Sequence, residues 1–501
     1  MNLSRIIEHW AQMTPARCAI HFQGVDFPYA ALWDQIEAAT ANLAARFAVK
    51  PGERIAYLGL NHPNFIVFLM ALARLGAIAV PLNFRLAAGE LQAILRDSGA
   101  RLIVSDEAMW ALAELASNVA SNVVSDRQIP LAAVNDLTIA ASSNPRVAIT
   151  GQDASECLIV YTSGTTGRPK GAVHTQANLL WNIQSAIAAQ DLTSADHLLS
   201  VLPMFHVGGL CIQLLPVLAA GGTVTLHARF DAGQWLADVN ACRPTLSLLV
   251  PAALKAILDH PAWASADLAS LRFINTGSST IPPSLIEAVH ARGVPVSQVY
   301  GATETGPVSI ALRPQEALAH VGSAGKPAMH VEVRLISADG SVVPQGEVGE
   351  IQVRGSNVVR RYWGDIEPQT FAEGWFRSGD LASCDSQGYY WVVGRAQEMI
   401  ISGGENIYPA ELENILATCA ALLEFAVLGQ PDERWGEVAV AVVVLREGAR
   451  CDGGNIMALF EDKLARYKHP RRIVFLPALP KTALGKVKKA ELRALLLRQD
   501  A

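Results

Sequence analysis

Nowhere among the seven cysteines does a Cys-x-x-Cys pair occur. Zinc ribbons and dithiol redox centres rest on such pairs, so these scattered thiols read as reduced groups of a cytoplasmic protein. Charge is also sparse, at 17% of residues, and the net charge is −6. A basic footprint for nucleic acid is therefore missing. With 51% hydrophobic residues, a membrane span has to be sought. The best stretch, Phe65 to Val80, is interrupted by Arg74 and ended by Pro81. It reads as a buried helix running into a strand, not as a span. The first ten residues are too polar for a signal peptide and read as an amphipathic helix. A Walker-type phosphate loop is lacking too, since no glycine is followed four residues later by Gly-Lys-Ser/Thr. No internal repeat or low-complexity tract is present.

The chain has 501 residues, enough for a large core and more than one domain. Up to about residue 150, helical patterns alternate with short apolar strands such as Arg54–Gly59, Ala77–Val80 and Leu102–Ser105. Residues 136–151 are polar and read as a connecting loop. The strand–helix alternation resumes over 155–310, with strands at Leu198–Leu202, Leu246–Val250, Arg272–Thr276 and Val296–Tyr300. Each of the last three runs into a Gly, Pro or hydroxyl-bearing turn. Ligands of parallel sheets bind at the carboxyl ends of strands, so these turns are expected to share one crevice. From 320 to 394 the pattern changes to short strands with turns, a small β subdomain. The expected fold is α/β: a large N-terminal domain of doubly wound sheets plus that β subdomain, residues 1–395, and a small mobile α+β C-terminal domain, residues 396–501.

The most distinctive stretch is Tyr161-Thr-Ser-Gly-Thr-Thr-Gly-Arg-Pro-Lys-Gly171. It follows Cys157-Leu-Ile-Val-Tyr161, which reads as a buried strand. A loop leaving a strand end can turn backbone N–H groups and hydroxyls toward an anion, with glycine allowing close approach. Thr162, Ser163, Gly164, Thr165, Thr166, Gly167 and Lys170 are thus candidates for a triphosphate grip; the alternative is a flexible linker. In Tyr300-Gly-Ala-Thr-Glu-Thr-Gly306, a carboxylate between two hydroxyls can hold Mg²⁺ and a phosphate oxygen together. The competing reading is a capped helix start. Asp380, in Trp375-Phe-Arg-Ser-Gly-Asp-Leu381, suits two ribose hydroxyls or is an ordinary turn aspartate. Gly403 and Gly404 would let a narrow thiol arm pass, or form a plain tight turn before the helix opened by Pro409. Lys481, Lys486, Lys488 and Lys489 read as a solvated basic face.

In order and in detail these stretches resemble the adenylate-forming enzymes, the superfamily of acyl-CoA synthetases, luciferases and peptide-synthetase adenylation domains. The resemblance covers essentially the whole chain. It implies ATP, Mg²⁺ and coenzyme A as cofactors. It further implies that Glu304 binds Mg²⁺, that Thr303 contacts the α-phosphate and that Tyr300 lies against adenine. Asp380 and Arg395 would hold the ribose. Gly403 and Gly404 would line the pantetheine tunnel, and Trp435 would belong to a CoA-nucleotide surface. Lys486 would bridge the acid's carboxylate and the α-phosphate, where one ammonium offsets the repulsion of two anions. Position 397 matches the family's domain hinge, with Gln397-Glu398 in place of its usual charged pair.

The implied activity is that of an ATP-dependent acyl-CoA synthetase, an acid–thiol ligase. The acyl pocket is expected between Met204–Leu210, Asn275–Ser279 and Gly301-Ala302, so that Gly277, Ser278, Gly301 and Ala302 stand where nucleotide and acid meet. These stretches carry no fixed charge, which favours an apolar monocarboxylic acid, fatty or aryl. The glycine pair 208–209 reads as room for a bulky tail. His206 gates the carboxylate, stacks on an aromatic ring, or is simply packed. Partners are then the acid, ATP and CoA, with no nucleic acid, no membrane span and a homodimer as the protein partner to consider. The alternatives are an adenylation enzyme loading a separate carrier protein and a non-catalytic nucleotide-binding homologue. The short stretch after Lys486 gives no expectation of a fused carrier.

Overall fold

The computed structural model describes residues 1–118, 128–138, 147–163, 169–277, 281–364, 368–402, 405–432, 434–461, 463–482 and 486–499. The apolar stretch that resembled a span is the helix Pro63–Leu75, buried along its whole length. His62 caps its first turn, Pro63 stands at its start, and Gly76 ends it in the left-handed region at φ 65°. The chain then enters the buried strand Ile78–Pro81. Arg74 stays inside by stacking on Trp33 at 4.7 Å, with Glu37 3.9 Å away. Among the described residues, no helix is long and apolar enough to cross a membrane. The amphipathic start forms as Arg5–Met13, with Ile7 buried.

Two large sheets carry the N-terminal part. One has six strands, in the order Leu131–Ala133, Leu102–Ser105, Arg54–Leu58, Ile78–Pro81, Glu156–Ser163, Pro169–Thr175. Its strands pair in parallel except for the last, which returns antiparallel. The other has nine, and Phe273–Gly277, Leu246–Leu249, His197–Ser200 and Thr223–Leu226 form its parallel centre. Val296–Tyr300 joins that centre in parallel, so the ends at Gly277 and Tyr300 are neighbours. The change of pattern after 320 is a four-stranded antiparallel sheet, Val331–Ile336, Gly349–Gly355, Phe376–Cys384 and Tyr390–Arg395. The last part holds a five-stranded sheet built around Leu422–Asp432 and Gly436–Leu445. The helix Pro409–Leu416 packs against it, and the chain's last helix is Lys489–Gln499. The α/β class, with a large N-terminal region and a smaller α+β C-terminal one, follows from this layout. The polar stretch 136–151 begins at the end of a short helix, Val134–Leu137, and 147–151 carries no strand or helix.

One helix, Gln176–Gln190, holds these layers together with buried amides at Asn178, Asn182 and Gln190, the first two one turn apart on the same face. Asn178 donates to Ser356 O at 2.8 Å and Val358 O at 3.0 Å. Asn182 donates to Cys211 O at 2.8 Å and accepts from Val308 N at 3.0 Å. Gln190 donates to Ile212 O at 3.0 Å and accepts from the Gln213 and Asn275 amides. Each amide thereby replaces hydration it would otherwise lose on burial.

Candidate active site

Two strand ends meet at the nucleotide-like side. Gly301 is required by close backbone passage: a Cβ there would lie 1.6 Å from Pro307 O. Gly277 is under the same constraint, with Val299 O 2.6 Å from a Cβ. Just before Gly301, the Tyr300 hydroxyl donates to Asp380 Oδ2 at 2.8 Å. Asp380 and Arg395 face each other across neighbouring strands, and Arg395 Nε lies 2.7 Å from Asp380 Oδ1. Arg395 also donates to Ser378 O at 3.0 Å. Burial raises the Asp380 pKa, and the Arg395 charge works against that rise. The result is a carboxylate with both oxygens engaged and fixed in orientation, able to share lone pairs with a diol.

The second acidic site lies on the other side of Gly301. Thr303–Thr305 forms a single helical turn, and Glu304 is buried, 8% exposed. Its carboxylate Oε1 accepts the Tyr362 hydroxyl at 2.7 Å. Burial raises its pKa, while the Tyr362 hydrogen bond and the charges of Arg395 and Lys170 favour the ionised form. The turn is braced by Ala302 N to Thr305 Oγ1, 3.0 Å, and by Asn357 to Thr305 O, 2.6 Å. Among the described residues no cluster of three or more His, Cys, Asp or Glu could form a metal cage. A single hard carboxylate in a cationic surround instead fits Mg²⁺ that arrives with phosphate oxygens as its other ligands.

Lys170 departs from expectation. It lies in the strand Pro169–Thr175, opposite Thr162, and not on a loop. The motif's described ends, Thr162-Ser163 and Pro169-Lys170, therefore pair as antiparallel strands, and the lysine is on the returning one. Its ammonium lies 5.7 Å from the centre of the Tyr362 ring. Gly164, Thr165, Thr166, Gly167, Ser278, Gly403 and Gly404 lie outside the described residues, as does the side chain of Ser163.

On the acid side, His206 Nδ1 accepts from Gly208 N at 3.0 Å and caps the short helix Val207–Cys211. The ring proton is accordingly assigned to Nε2. Burial pushes the His206 pKa down to about 4, so the ring is neutral at ordinary pH. The reading of Gly208-Gly209 as tail room is corrected at Gly209. A Cβ there would lie 2.3 Å from Pro203 O, so this glycine lets two backbones touch. The cavity beside it measures about 10 Å³, space for one water. Phe205 packs edge-on against Phe84, 5.3 Å between ring centres. Met204–Leu210, Asn275–Gly277 and Gly301-Ala302 present no carboxylate and no cationic Lys or Arg.

In the C-terminal part, Lys486 lies within electrostatic range of this site. The side chain is exposed at the surface, yet surrounding atoms and the Arg395 charge lower its pKa, with Glu398 and Asp380 opposing. It thus shares the electrostatic field of the ribose-like pair. Lys489, expected on a solvated face, is a correction: it lies 2.9 Å from Glu398 and 3.1 Å from Glu413 and is only 18% exposed. Gln397 sits in the turn Ala396–Glu398, closed by Met399 N to Arg395 O at 3.1 Å. Trp435 is 37% exposed, with the Arg434 and Arg471 guanidiniums 4.9 and 5.7 Å from its ring. Sequence reasoning missed Tyr362, Lys489 and His174, since no motif marks them. His174 is fully buried and pushed to about 4 by desolvation, with the Thr303 main chain opposing that shift.

Comparison with known proteins gives a consistent set. Residues 7–363 match the family described as AMP-binding enzyme, and 411–486 match the AMP-binding enzyme C-terminal domain. An indoleacetate–CoA ligase of Aromatoleum aromaticum is 44% identical, over 100% of this chain and 99% of its own. A feruloyl-CoA synthase of an Amycolatopsis species is 42% identical, over 96% of both chains. A long-chain-fatty-acid–CoA ligase of Mycobacterium tuberculosis is 34% identical over 90% of both. The crystal structure of an anthranilate CoA ligase with anthranoyl-AMP superposes with a TM-score of 0.92 at 26% identity, covering 100% of this chain and 98% of that one. The Bacillus subtilis o-succinylbenzoate CoA synthetase with its acyl-adenylate gives 0.87 at 32%, covering 97% of both.

Proposed function

This chain belongs to the AMP-binding enzyme family, and on that footing we propose how its residues divide the work and which acid they serve. It is an ATP-dependent acyl-CoA synthetase, an acid–thiol ligase that forms AMP. The acid's carboxylate oxygen attacks the α-phosphorus of ATP, the bond to pyrophosphate breaks, and an acyl adenylate forms. The thiol of CoA then attacks the activated carbonyl, its proton is lost, and AMP leaves. No side chain has to become a covalent nucleophile.

The observation that carries the residue assignment is the Tyr300–Asp380–Arg395 arrangement at a strand end, with Lys486 in its electrostatic field. Asp380 and Arg395 hold the ribose, and Tyr300 closes the nucleotide side. Glu304 would hold Mg²⁺, which would supply charge neutralisation for the phosphates, and Thr303 would contact the α-phosphate. Lys170, with Thr162, Ser163, Gly164, Thr165, Thr166 and Gly167, grips the phosphates. Lys486 offsets the repulsion between carboxylate and α-phosphate. His206, neutral, offers Nε2–H to the acid beside Gly277, Ser278, Gly301 and Ala302. Residues 1–395 and 396–501 act as two domains that rotate between half-reactions, Gly403-Gly404 and Trp435 then receiving CoA. A cytoplasmic location and a homodimer belong to the same reading.

The acid is an apolar aryl monocarboxylate of the arylacetate or hydroxycinnamate type. Support comes from uncharged lining stretches and from the relatives named for indoleacetate and ferulate, at 44% and 42% identity against 34% for the fatty-acid relative. Acid-dependent pyrophosphate release across aryl, fatty, dicarboxylic and amino acids tests it, with and without CoA. The highest kcat/KM is expected for an aryl acid, and AMP release is expected to require CoA. A dicarboxylic acid as best substrate overturns the substrate reading; adenylation without CoA turnover points to a carrier protein as acceptor.

A further inference from the structure

Tyr362 sits where the two halves of the phosphate site join. We propose that it is a positioning residue for adenylation, fixing the Glu304 carboxylate and tying it to the strand that carries Lys170. This rests on the reading of Glu304 as the Mg²⁺ ligand.

Residues 361–363 are stitched to the strand Pro169–Thr175 through the main chain. Val173 N donates to Arg361 O at 3.3 Å, Ala172 and Tyr362 form an antiparallel bridge, and Trp363 N donates to Gly171 O at 2.7 Å. Tyr362 is thereby registered two positions from Lys170 on the neighbouring arm. Its side chain crosses to the other motif, where the hydroxyl meets Glu304 Oε1 at 2.7 Å. The ring is 5% exposed, packed on Phe371 at 5.3 Å, with the Lys170 ammonium 5.7 Å from its centre. From the far side, Val359 N donates to Glu304 O at 2.8 Å, so main chain and side chain of Glu304 are held by one segment, 359–362.

A tyrosine buried only for packing would need its hydroxyl satisfied by any acceptor. This one uses the carboxylate assigned to the metal. A charge-assisted bond to one oxygen fixes the rotamer of the group and leaves the second oxygen uncommitted to Tyr362. Without it, the buried carboxylate loses its side-chain donor and keeps only its own main-chain N–H, which does not fix its orientation toward the phosphates. The ring also transmits position: a shift of the Lys170 strand moves Tyr362 and with it Glu304.

The test compares wild type, Tyr362→Phe and Glu304→Gln. Mn²⁺ binding in the presence of ATP without acid is followed by the electron paramagnetic resonance of free Mn²⁺. Pyrophosphate release is titrated with Mg²⁺. Tyr362→Phe is expected to weaken Mn²⁺ binding and to raise the half-saturating Mg²⁺ concentration about tenfold, as for loss of one hydrogen bond to a charged group. Its turnover at saturating Mg²⁺ should stay within about twofold of wild type, a split that a purely structural defect would not produce. Wild-type metal dependence in Tyr362→Phe, with Glu304→Gln impaired, overturns the role of Tyr362 alone. Wild-type Mn²⁺ binding in Glu304→Gln overturns the metal reading and this proposal with it. Should Tyr362→Phe not fold, 3-fluorotyrosine at 362 keeps the ring and hydroxyl. Its ¹⁹F resonance is expected to shift on adding Mg²⁺ and ATP, and not to shift in the Glu304→Gln background. The same shift in both backgrounds counts against the proposal.

Discussion

Lys489 Nζ lies 2.9 Å from Glu398 Oε2, so the residue immediately after Gln397 is tied to the chain's last helix. Glu413, 3.1 Å from the same ammonium, ties it to the helix Pro409–Leu416 as well. Burial would raise the Glu398 pKa, but the two nearby lysines, Lys489 above all, more than offset it. On the proposed two-domain reading, these contacts make Glu398 part of the C-terminal unit. Any rotation that brings 403–404 to the site has to be absorbed at Arg395, Ala396 or Gln397.

Proline at 397 is compatible with the first turn of a short helix but locks φ and restricts the residue before it. Gln397→Pro is therefore expected to keep adenylation, read as single-turnover pyrophosphate release, while thioester formation from supplied adenylate and CoA falls by about two orders of magnitude. A Gln397→Pro enzyme that folds and makes acyl-CoA at the wild-type rate would place the pivot elsewhere.

Lys486→Ala is expected to lower adenylation by about two to three orders of magnitude, as for loss of one preorganised charge partner, and to spare thioester formation from supplied adenylate. The reason is sequential: once the mixed anhydride exists, the two anions have already been joined. The lowered pKa adds a pH signature. The ammonium is the active form, so adenylation should be retained at neutral pH and fall, as pH rises, earlier than an ordinary lysine would require. Equal loss in both half-reactions, or an alkaline limit shared by both, sinks this assignment.

Glu304→Gln should separate activity from stability. Burial disfavours the carboxylate's charge in the free enzyme, and the amide removes that penalty while filling the same space. Thermal unfolding without ligand is expected at the wild-type temperature or above it, and Mg²⁺-dependent turnover well below wild type. A variant that unfolds several degrees lower would mean that the charge is a structural ion-pair member and nothing more.

Gly209→Ala distinguishes the two meanings of that glycine. With Pro203 O at 2.3 Å from the added carbon, overpacking should destabilise the fold by about 1–3 kcal/mol and disturb the His206 cap. If the glycine instead made room for substrate, Ala would leave stability unchanged and shift the preference toward shorter acids.

What could be read from the chain, and what could not, divides by whether a feature is local. Leu102–Ser105 and Val296–Tyr300 appear in the fold with the bounds their apolar runs suggested. There, a run flanked by turn residues suffices. The meeting of Tyr300, Asp380 and Arg395 was reachable only through motif resemblance, because the residues are far apart in the chain. Lys489 looked like one more surface lysine, and its two glutamates come from the distant hinge and the helix Pro409–Leu416. Tyr362 carries no motif, since its meaning lies in an acceptor 58 residues earlier in the chain. Gly209 was misread for a related reason: whether a missing side chain makes space or permits contact depends on what stands opposite.

The amide face of the helix Gln176–Gln190 has a consequence for how such an enzyme can change. Its anchors on the loops around the site are largely peptide oxygens, those of Ser356, Val358, Cys211 and Ile212. A peptide oxygen is present whatever residue bears it. A substitution at 356, 358, 211 or 212 therefore leaves in place the acceptor that fastens the helix. The fastening is in that sense indifferent to side-chain identity at its acceptors: these positions can vary while the spacing of the layers the helix joins keeps its dimensions.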